Sequence, residues 1–248
     1  MVDIPRSTVA RPLVVIPTLN EAPTIDKAVS GARAADVDVL VVDDGSTDAT
    51  SAIVQRLASL DPGVNLLQRD TKMGLGTAYR DGFAWGMARG YDAFGEMDAD
   101  LSHDPGDLPT LLAGLAHADL VIGSRYVAGG GVEDWPVTRR LLSRGANTYV
   151  RLCTGLPVHD ATAGFRFYRR SVIDAVDTSS STADGYAFQI EMALRTWLRG
   201  FVILEVPITF TERQEGVSKM SRAIVAEALW RVPRWGLQAR FRRGGRAG

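Results

Sequence analysis

Five short apolar runs alternate with helix-length segments through the first half of the chain: Leu13-Val14-Val15-Ile16, Val37 to Val42, Val64 to Gln68, Tyr91 to Met97 and Asp119 to Gly123. Strands written as near-continuous apolar runs are buried on both faces, so the chain must pair them as a mostly parallel α/β sheet flanked by helices. Helices are expected from Thr24 to about Ala35, from a cap at Ser46 or Thr47 to about Leu60, and from Leu75 to about Arg89. Further on, an arginine-rich helix is expected from about Val137 to Leu152 and an amphipathic one from Tyr186 to Leu198. Strands are expected over Thr162 to Tyr168 and Phe201 to Phe210, with a flexible or tightly turned loop at Gly129-Gly130-Gly131.

Polar clusters occupy one position in this pattern. Pro17 to Glu21, Asp43-Asp44, Asp70 to Gly74, Asp98 with Asp100, and Arg125 each follow the carboxyl end of a strand. Open α/β sheets bind ligands along that edge, so one site built from five loops is expected. At its centre stands Glu96-Met97-Asp98-Ala99-Asp100-Leu101-Ser102-His103-Asp104-Pro105. Asp98 and Asp100 suit a hard divalent cation, because Mg²⁺ takes oxygen ligands and is commonly shared with substrate phosphates. An ion held there can neutralise charge on a departing diphosphate.

The other clusters each fit two roles. Asp44 can accept hydrogen bonds from a nucleobase or ribose, or serve the dipole at a helix N-terminus. Glu21 fits a nucleoside contact or an ordinary surface acid. Lys72-Met73-Gly74-Leu75-Gly76 resembles a phosphate cradle, although its glycines equally permit close helix packing. It lacks Walker A spacing, and no Gly-x-Gly-x-x-Gly follows the first strand, which disfavours a P-loop enzyme and a dinucleotide dehydrogenase. Arg125, Arg139, Arg140, Arg144, Arg213 and Lys219 exceed what one metal-bound diphosphate needs. A second phosphate, on an acceptor, accounts for the surplus, as does a solvated helix face for Arg139, Arg140 and Arg144.

Composition narrows the class. With 248 residues, 46% of them hydrophobic, the chain can bury one large core, and a formal net charge of -1 argues against a nucleic-acid binder. Cys153 has no partner for an internal disulfide, which fits a reducing compartment. No apolar h-region follows Met1, and no apolar run approaches the roughly 18 residues of a spanning helix. A cytoplasmic chain is expected, soluble or peripheral on the cytoplasmic face of a membrane.

Pro17-Thr18-Leu19-Asn20-Glu21, Val42-Asp43-Asp44-Gly45-Ser46, Gly74-Leu75-Gly76-Thr77-Ala78-Tyr79, Asp98-Ala99-Asp100-Leu101-Ser102-His103 and Gly123-Ser124-Arg125-Tyr126 together resemble polyprenol-phosphate (dolichol-phosphate) mannosyltransferases, family 2 glycosyltransferases of GT-A fold. The likeness continues through Ser143-Arg144-Gly145-Ala146-Asn147, Gly164-Phe165-Arg166 and Arg213-Gln214-Glu215-Gly216-Val217-Ser218-Lys219. It implies nucleoside contacts at Pro17, Glu21, Val42 and Asp44, and Mg²⁺ or Mn²⁺ on Asp98 and Asp100 with the Ala99 backbone beside the diphosphate. It places Arg125, Arg213 and Lys219 at donor or acceptor phosphate. Leu19, Lys72, Arg139, Arg140 and Ser143 are the remaining substrate-side candidates. Leu19 stands where many members have Tyr. Ser102 stands where some have a Gln metal ligand and others Ser, so that a water completes the coordination.

The resemblance implies inverting transfer of mannose from GDP-mannose to a polyprenyl monophosphate. An acceptor monoester with a second pKa of about 6 is already a nucleophile and needs no carboxylate base. Competing readings are UDP-glucose as donor, a non-catalytic nucleotide-sugar-binding subunit, a polysaccharide synthase and a nucleotidyltransferase. The synthase would show Gln-x-x-Arg-Trp and spanning helices. The nucleotidyltransferase would need a glycine-rich loop where Pro17-Thr18-Leu19-Asn20 stands. A GT-A domain is expected over residues 1–220, and a basic amphipathic segment over 221–248. Ser221 to Arg243 interleaves six arginines with Trp230, Trp235, Phe241 and aliphatic residues. That pattern suits an anionic bilayer surface, at about 1 kcal/mol per arginine, or a helix packed on the domain with a frayed end. Pro233 would kink or divide such a helix. Family members carry spanning helices or use a separate membrane subunit, so a membrane-anchor partner is also expected.

Overall fold

The apolar runs build a seven-stranded sheet whose carboxyl edge carries the loops expected to hold the site. The computed structural model describes residues 8–212 and 230–237. In chain order the elements are β1 (Pro12–Thr18), α1 (Ile25–Ala34), β2 (Asp38–Asp43), α2 (Thr50–Leu60), β3 (Val64–Gln68), α3 (Leu75–Ala88), β4 (Ala93–Glu96), α4 (Leu108–Gly114) and β5 (Leu120–Ser124). There follow β6 (Gly131–Val132), α5 (Val137–Thr154), β7 (Arg166–Arg169), α6 (Arg170–Val176), α7 (Gly185–Leu198), β8 (Ile203–Pro207) and β9 (Thr209–Phe210). The sheet order is β3-β2-β1-β4-β7-β5-β8, and β7 alone runs antiparallel to both its neighbours. β6 and β9 form a separate parallel pair.

Alternation along each strand sends side chains to both faces. Leu13, Val15, Leu40 and Val42 pack with Tyr79 and Phe83 of α3, while Val14, Ile16, Val39 and Val41 pack with Ile25 and Val29 of α1. This alternation buries the Val42 side chain completely, so the nucleoside contact expected there would fall to its backbone.

Two expectations are corrected. α2 begins at Thr50, whose N–H is accepted by Asp48 at 2.9 Å; Ser46 instead donates to Asp43, and the Thr47 N–H donates to Asn20. The strand expected from Phe201 to Phe210 breaks at Ile208 into β8 and β9. The Gly129–Gly131 loop ends by entering β6. α4 and α6 were not anticipated, because seven residues span too few turns to show a period. No helix among the described residues is long and apolar enough to cross a membrane. Of the expected basic tail, residues 230–237 are helical through Pro233, and the rest lies outside the described residues, as do Arg213 and Lys219.

Candidate active site

Loops from the carboxyl edge enclose a cavity of about 290 Å³. Pro17 lines it from the end of β1, Leu19 and Glu21 from the loop that follows, Asp44 from just past β2, and Lys72 from the segment between β3 and α3. Asp98, Ala99 and Asp100 enter from β4, Arg125 from β5, and Arg139 from α5. Val42, Ser102, Arg140 and Ser143 are not on its wall. The Arg140 guanidinium donates to the Val132 carbonyl at 3.4 Å, and Ser143 accepts the Tyr126 hydroxyl at 2.6 Å.

The acidic turn is held by unusual backbone. Leu101 adopts φ +60° between Asp100 and Ser102, a left-handed conformation costly for a residue with a Cβ. The Ser102 N–H donates to Asp100 at 3.1 Å, and the Asp98 N–H donates to Nδ1 of His103 at 3.2 Å. Burial, opposed by the Asp100 charge, brings the His103 imidazole down to about 4, so the ring is neutral near pH 7 with its proton on Nε2. It stacks on Phe165 with ring centres 4.8 Å apart. Sequence reasoning gave His103 no role; here it braces the loop that presents Asp98.

These residues fit a divalent cation. The cavity wall carries Glu21, Asp44, Asp98, Asp100 and Asp184 against Lys72, Arg125 and Arg139, so a diphosphate approaching unaccompanied meets excess negative charge. Among the described residues no group of three His, Cys, Asp or Glu side chains could hold a metal ion. Two carboxylates with the remaining positions left to phosphate and water describe a substrate-shared hard ion rather than a structural one. Among the described residues the buried Ser102 hydroxyl has no hydrogen-bond partner, which leaves it available to a water.

The glycine-rich loop takes its structural role. Both Asp44 oxygens are engaged, accepting from Arg69 at 3.0 Å and from the Met73 and Gly74 amides at 2.7 and 2.9 Å. The Gly76 N–H donates to Asp184 at 2.7 Å. Carboxylates of this chain already occupy the amides that a phosphate would need. A Cβ on Gly76 would lie 2.5 Å from the Ala183 carbonyl oxygen. Gly76→Ala is therefore expected to cost about 1–3 kcal/mol of stability by overpacking, read as a lower urea midpoint at unchanged slope.

Arg125, expected at a phosphate, is gripped by Asp160. Its Nε and Nη2 donate at 2.7 and 2.6 Å, and its own backbone N–H donates to the same carboxylate at 3.0 Å. The guanidinium thus reaches the wall with its charge already balanced. Arg139 pairs with Glu212 and lies 4.1 Å over the Trp135 ring. Arg166, also without an assigned role, is fully buried and donates to the carbonyls of Ala161, Ala163 and Gln189, fixing the segment that closes one side of the cavity. Gln189 is buried and lines the cavity, with its amide beside the enclosed Glu96 carboxyl. A Cβ on Gly164 would lie 3.9 Å from both Asp98 Oδ1 and Gln189 Nε2, so these groups face the same small space.

The chain is 49% identical over 237 residues to polyprenol monophosphomannose synthase of Mycolicibacterium smegmatis, covering 94% of this chain and 89% of that protein. It is 48% identical over 233 residues to undecaprenyl-phosphate mannosyltransferase of Micrococcus luteus, covering 93% and 96%. Two solved structures share the fold: a Pyrobaculum calidifontis mannosyltransferase in complex with GDP-Man and Mn²⁺ (TM-score 0.56, 21% identity, 96% of this chain and 65% of that one) and mannosyl-3-phosphoglycerate synthase of Rubrobacter xylanophilus (0.62, 19%, 95% and 75%). The architecture is the GT-A type expected. Residues 13–177 match the family described as glycosyl transferase family 2, and the chain belongs to that family.

Proposed function

We propose that the chain transfers mannose from GDP-mannose to a polyprenyl monophosphate with inversion, releasing GDP. The observation that carries this reading is the paired-carboxylate turn opening on a strand-end cavity, in a chain about half identical along its length to two enzymes named for polyprenyl-phosphate mannose synthesis. Asp98 and Asp100 would hold Mg²⁺ or Mn²⁺, with Ser102 reaching it through water. Bound there, the ion supplies positive charge to the diphosphate as it leaves. Pro17, Leu19 and Glu21 wall the nucleoside end, and Asp44 acts mainly by fixing the loop around Gly74. The Gln189 amide, on the cavity wall, is assigned to the sugar hydroxyls. Arg139, Lys72, Arg213 and Lys219 are the cations assigned to donor and acceptor phosphates. We place the enzyme at the cytoplasmic face of a membrane, with or without an anchoring subunit.

Incubation with either metal and a short polyprenyl phosphate is expected to yield acid-labile lipid-linked mannose from GDP-mannose. A product from UDP-glucose alone would favour the glucosyl reading. The acceptor dianion is the nucleophile, so kcat/KM is expected to rise as the acceptor ionises near pH 6. Burial, opposed by Arg166, pushes the enclosed Glu96 carboxyl up to about 7, yet Glu96 is off the cavity wall. A limb near neutrality that survives Glu96→Gln and vanishes with a cavity carboxylate would overturn the base-free mechanism.

A further inference from the structure

Helix α3 starts without a cap of its own. Its first turn carries no acidic residue, and Gly74, which precedes it at φ +98°, offers no side chain. An amide left open at that end is satisfied from far along the chain, by Asp184. Oδ1 of Asp184 accepts the Gly76 N–H at 2.7 Å and the Gly185 N–H at 2.9 Å. One carboxylate oxygen thus ties the start of α3 to the start of α7, and its two donors fix its direction.

The segment before Asp184 is held as firmly. Ser181 is buried, donates to Glu191 at 2.6 Å and accepts the Ala183 N–H at 3.3 Å, and Arg231 donates to the Thr182 hydroxyl at 3.0 Å. The second carboxylate oxygen of Asp184 is therefore placed, not left to swing. A Cβ on Gly74 would lie 2.6 Å from Oδ2, so this oxygen takes the space that the glycine leaves open. Gly74, Asp184, Gly185 and Tyr186 stand together there on the cavity wall. Among the described residues nothing hydrogen-bonds Oδ2; both bonds to this carboxylate go to Oδ1.

We infer that Oδ2 of Asp184 accepts a hydrogen bond from a hydroxyl of the transferred hexose, which makes Asp184 a residue that selects the sugar. A carboxylate accepts and does not donate, so it disfavours the diphosphate and suits the neutral, hydroxyl-rich part of the donor. Position agrees with this. The nucleoside end is walled by Pro17, Leu19 and Glu21, whereas Asp184 opens α7, whose Gln189 faces the space beside Gly164 and Asp98. The Gly76 and Gly185 amides hold the carboxylate in place beforehand, so little ordering remains when the sugar arrives. A site built to bond a hydroxyl rejects a sugar that lacks it. The inference rests on the sugar-nucleotide reading and adds which residue reads the hexose.

The test compares Asp184→Asn with wild type in the full chain. Asparagine keeps an oxygen for the Gly76 and Gly185 amides, so the urea midpoint should stay near that of wild type. With GDP-mannose and a short polyprenyl phosphate, kcat/KM should fall about 10- to 100-fold, the loss of one hydrogen bond to a charged acceptor. GDP carries no hexose and should inhibit the variant as well as wild type or better, because a negative charge has left the wall. Among GDP-mannose analogues that each lack one hexose hydroxyl, one should be poor for wild type and lose little further with the variant. A merely structural role, or a contact to ribose or base, would weaken GDP in step with GDP-mannose and overturns the inference. So does a variant that loses the same further factor on every analogue, or one that transfers mannose as wild type does. Wild type that uses UDP-glucose and not GDP-mannose fails the mannose reading alone, and UDP-glucose compared with UDP then decides the role of Asp184.

Discussion

Asp100→Ala is expected to lower kcat by at least about a thousandfold with the fold intact, the loss that follows when charge stabilisation of a leaving diphosphate is removed. Asp100 is 8% exposed, lines the cavity, and accepts the Ser102 amide at 3.1 Å. The carboxylate therefore has two separable jobs, holding the turn and presenting charge. Asp100→Asn keeps an acceptor for the Ser102 amide and removes only the charge, so it should fall as far as alanine does. If holding the Leu101 turn were the main role, asparagine would be nearly silent. Single-turnover transfer at rising Mn²⁺, with thermal unfolding of both variants alongside, decides between them. Activity of Asp100→Asn within about tenfold of wild type, on a scale where 1.36 kcal/mol is a factor of ten, would remove the turn from the chemistry.

The features legible in the sequence are those set by local pattern. β1 to β5 announce themselves as β-branched runs, and the polar loops after them are where a parallel sheet gathers ligands. Pro17, Leu19, Glu21, Lys72, Asp98, Ala99, Asp100 and Arg139 accordingly meet in one cavity. What was illegible depends on partners far apart in the chain. The carboxylate that neutralises Arg125 lies 35 residues away, and the one that caps Gly76 lies 108 residues away. No periodicity links such pairs. A glycine-rich loop with a lysine therefore reads equally as a phosphate cradle and as a packing device, and sequence alone does not show that Arg125 carries its own counter-ion. Strand alternation could have placed Val42 in the core, since it shares a face with Leu40.

Asp160→Asn is expected to cost about 3–5 kcal/mol of stability at neutral pH, because it leaves the buried Arg125 guanidinium without its anion. Asp160 is fully buried and Arg125 is 5% exposed. Burial alone would raise the Asp160 carboxyl, and Arg125 overrides it, holding the group below the usual carboxylate range. A depressed native pKa means the unfolded chain binds the proton more tightly. The pair's contribution is thus complete above the unfolded value of about 3.9 and is lost as pH falls through the native one. Urea unfolding of wild type should weaken below about pH 4, and Asp160→Asn should lack that part of the acid limb. The rings of Tyr126, Trp135 and Phe210 each lie 5.4 Å from the guanidinium, an environment that an apolar side chain tolerates. Arg125→Met combined with Asp160→Leu should therefore recover much of the stability lost in the single variant. Recovery in this double variant assigns the cost to uncompensated charge. A double variant as unstable as Asp160→Asn would assign it to the three hydrogen bonds through which Asp160 ties the Arg125 backbone and side chain to the cavity wall.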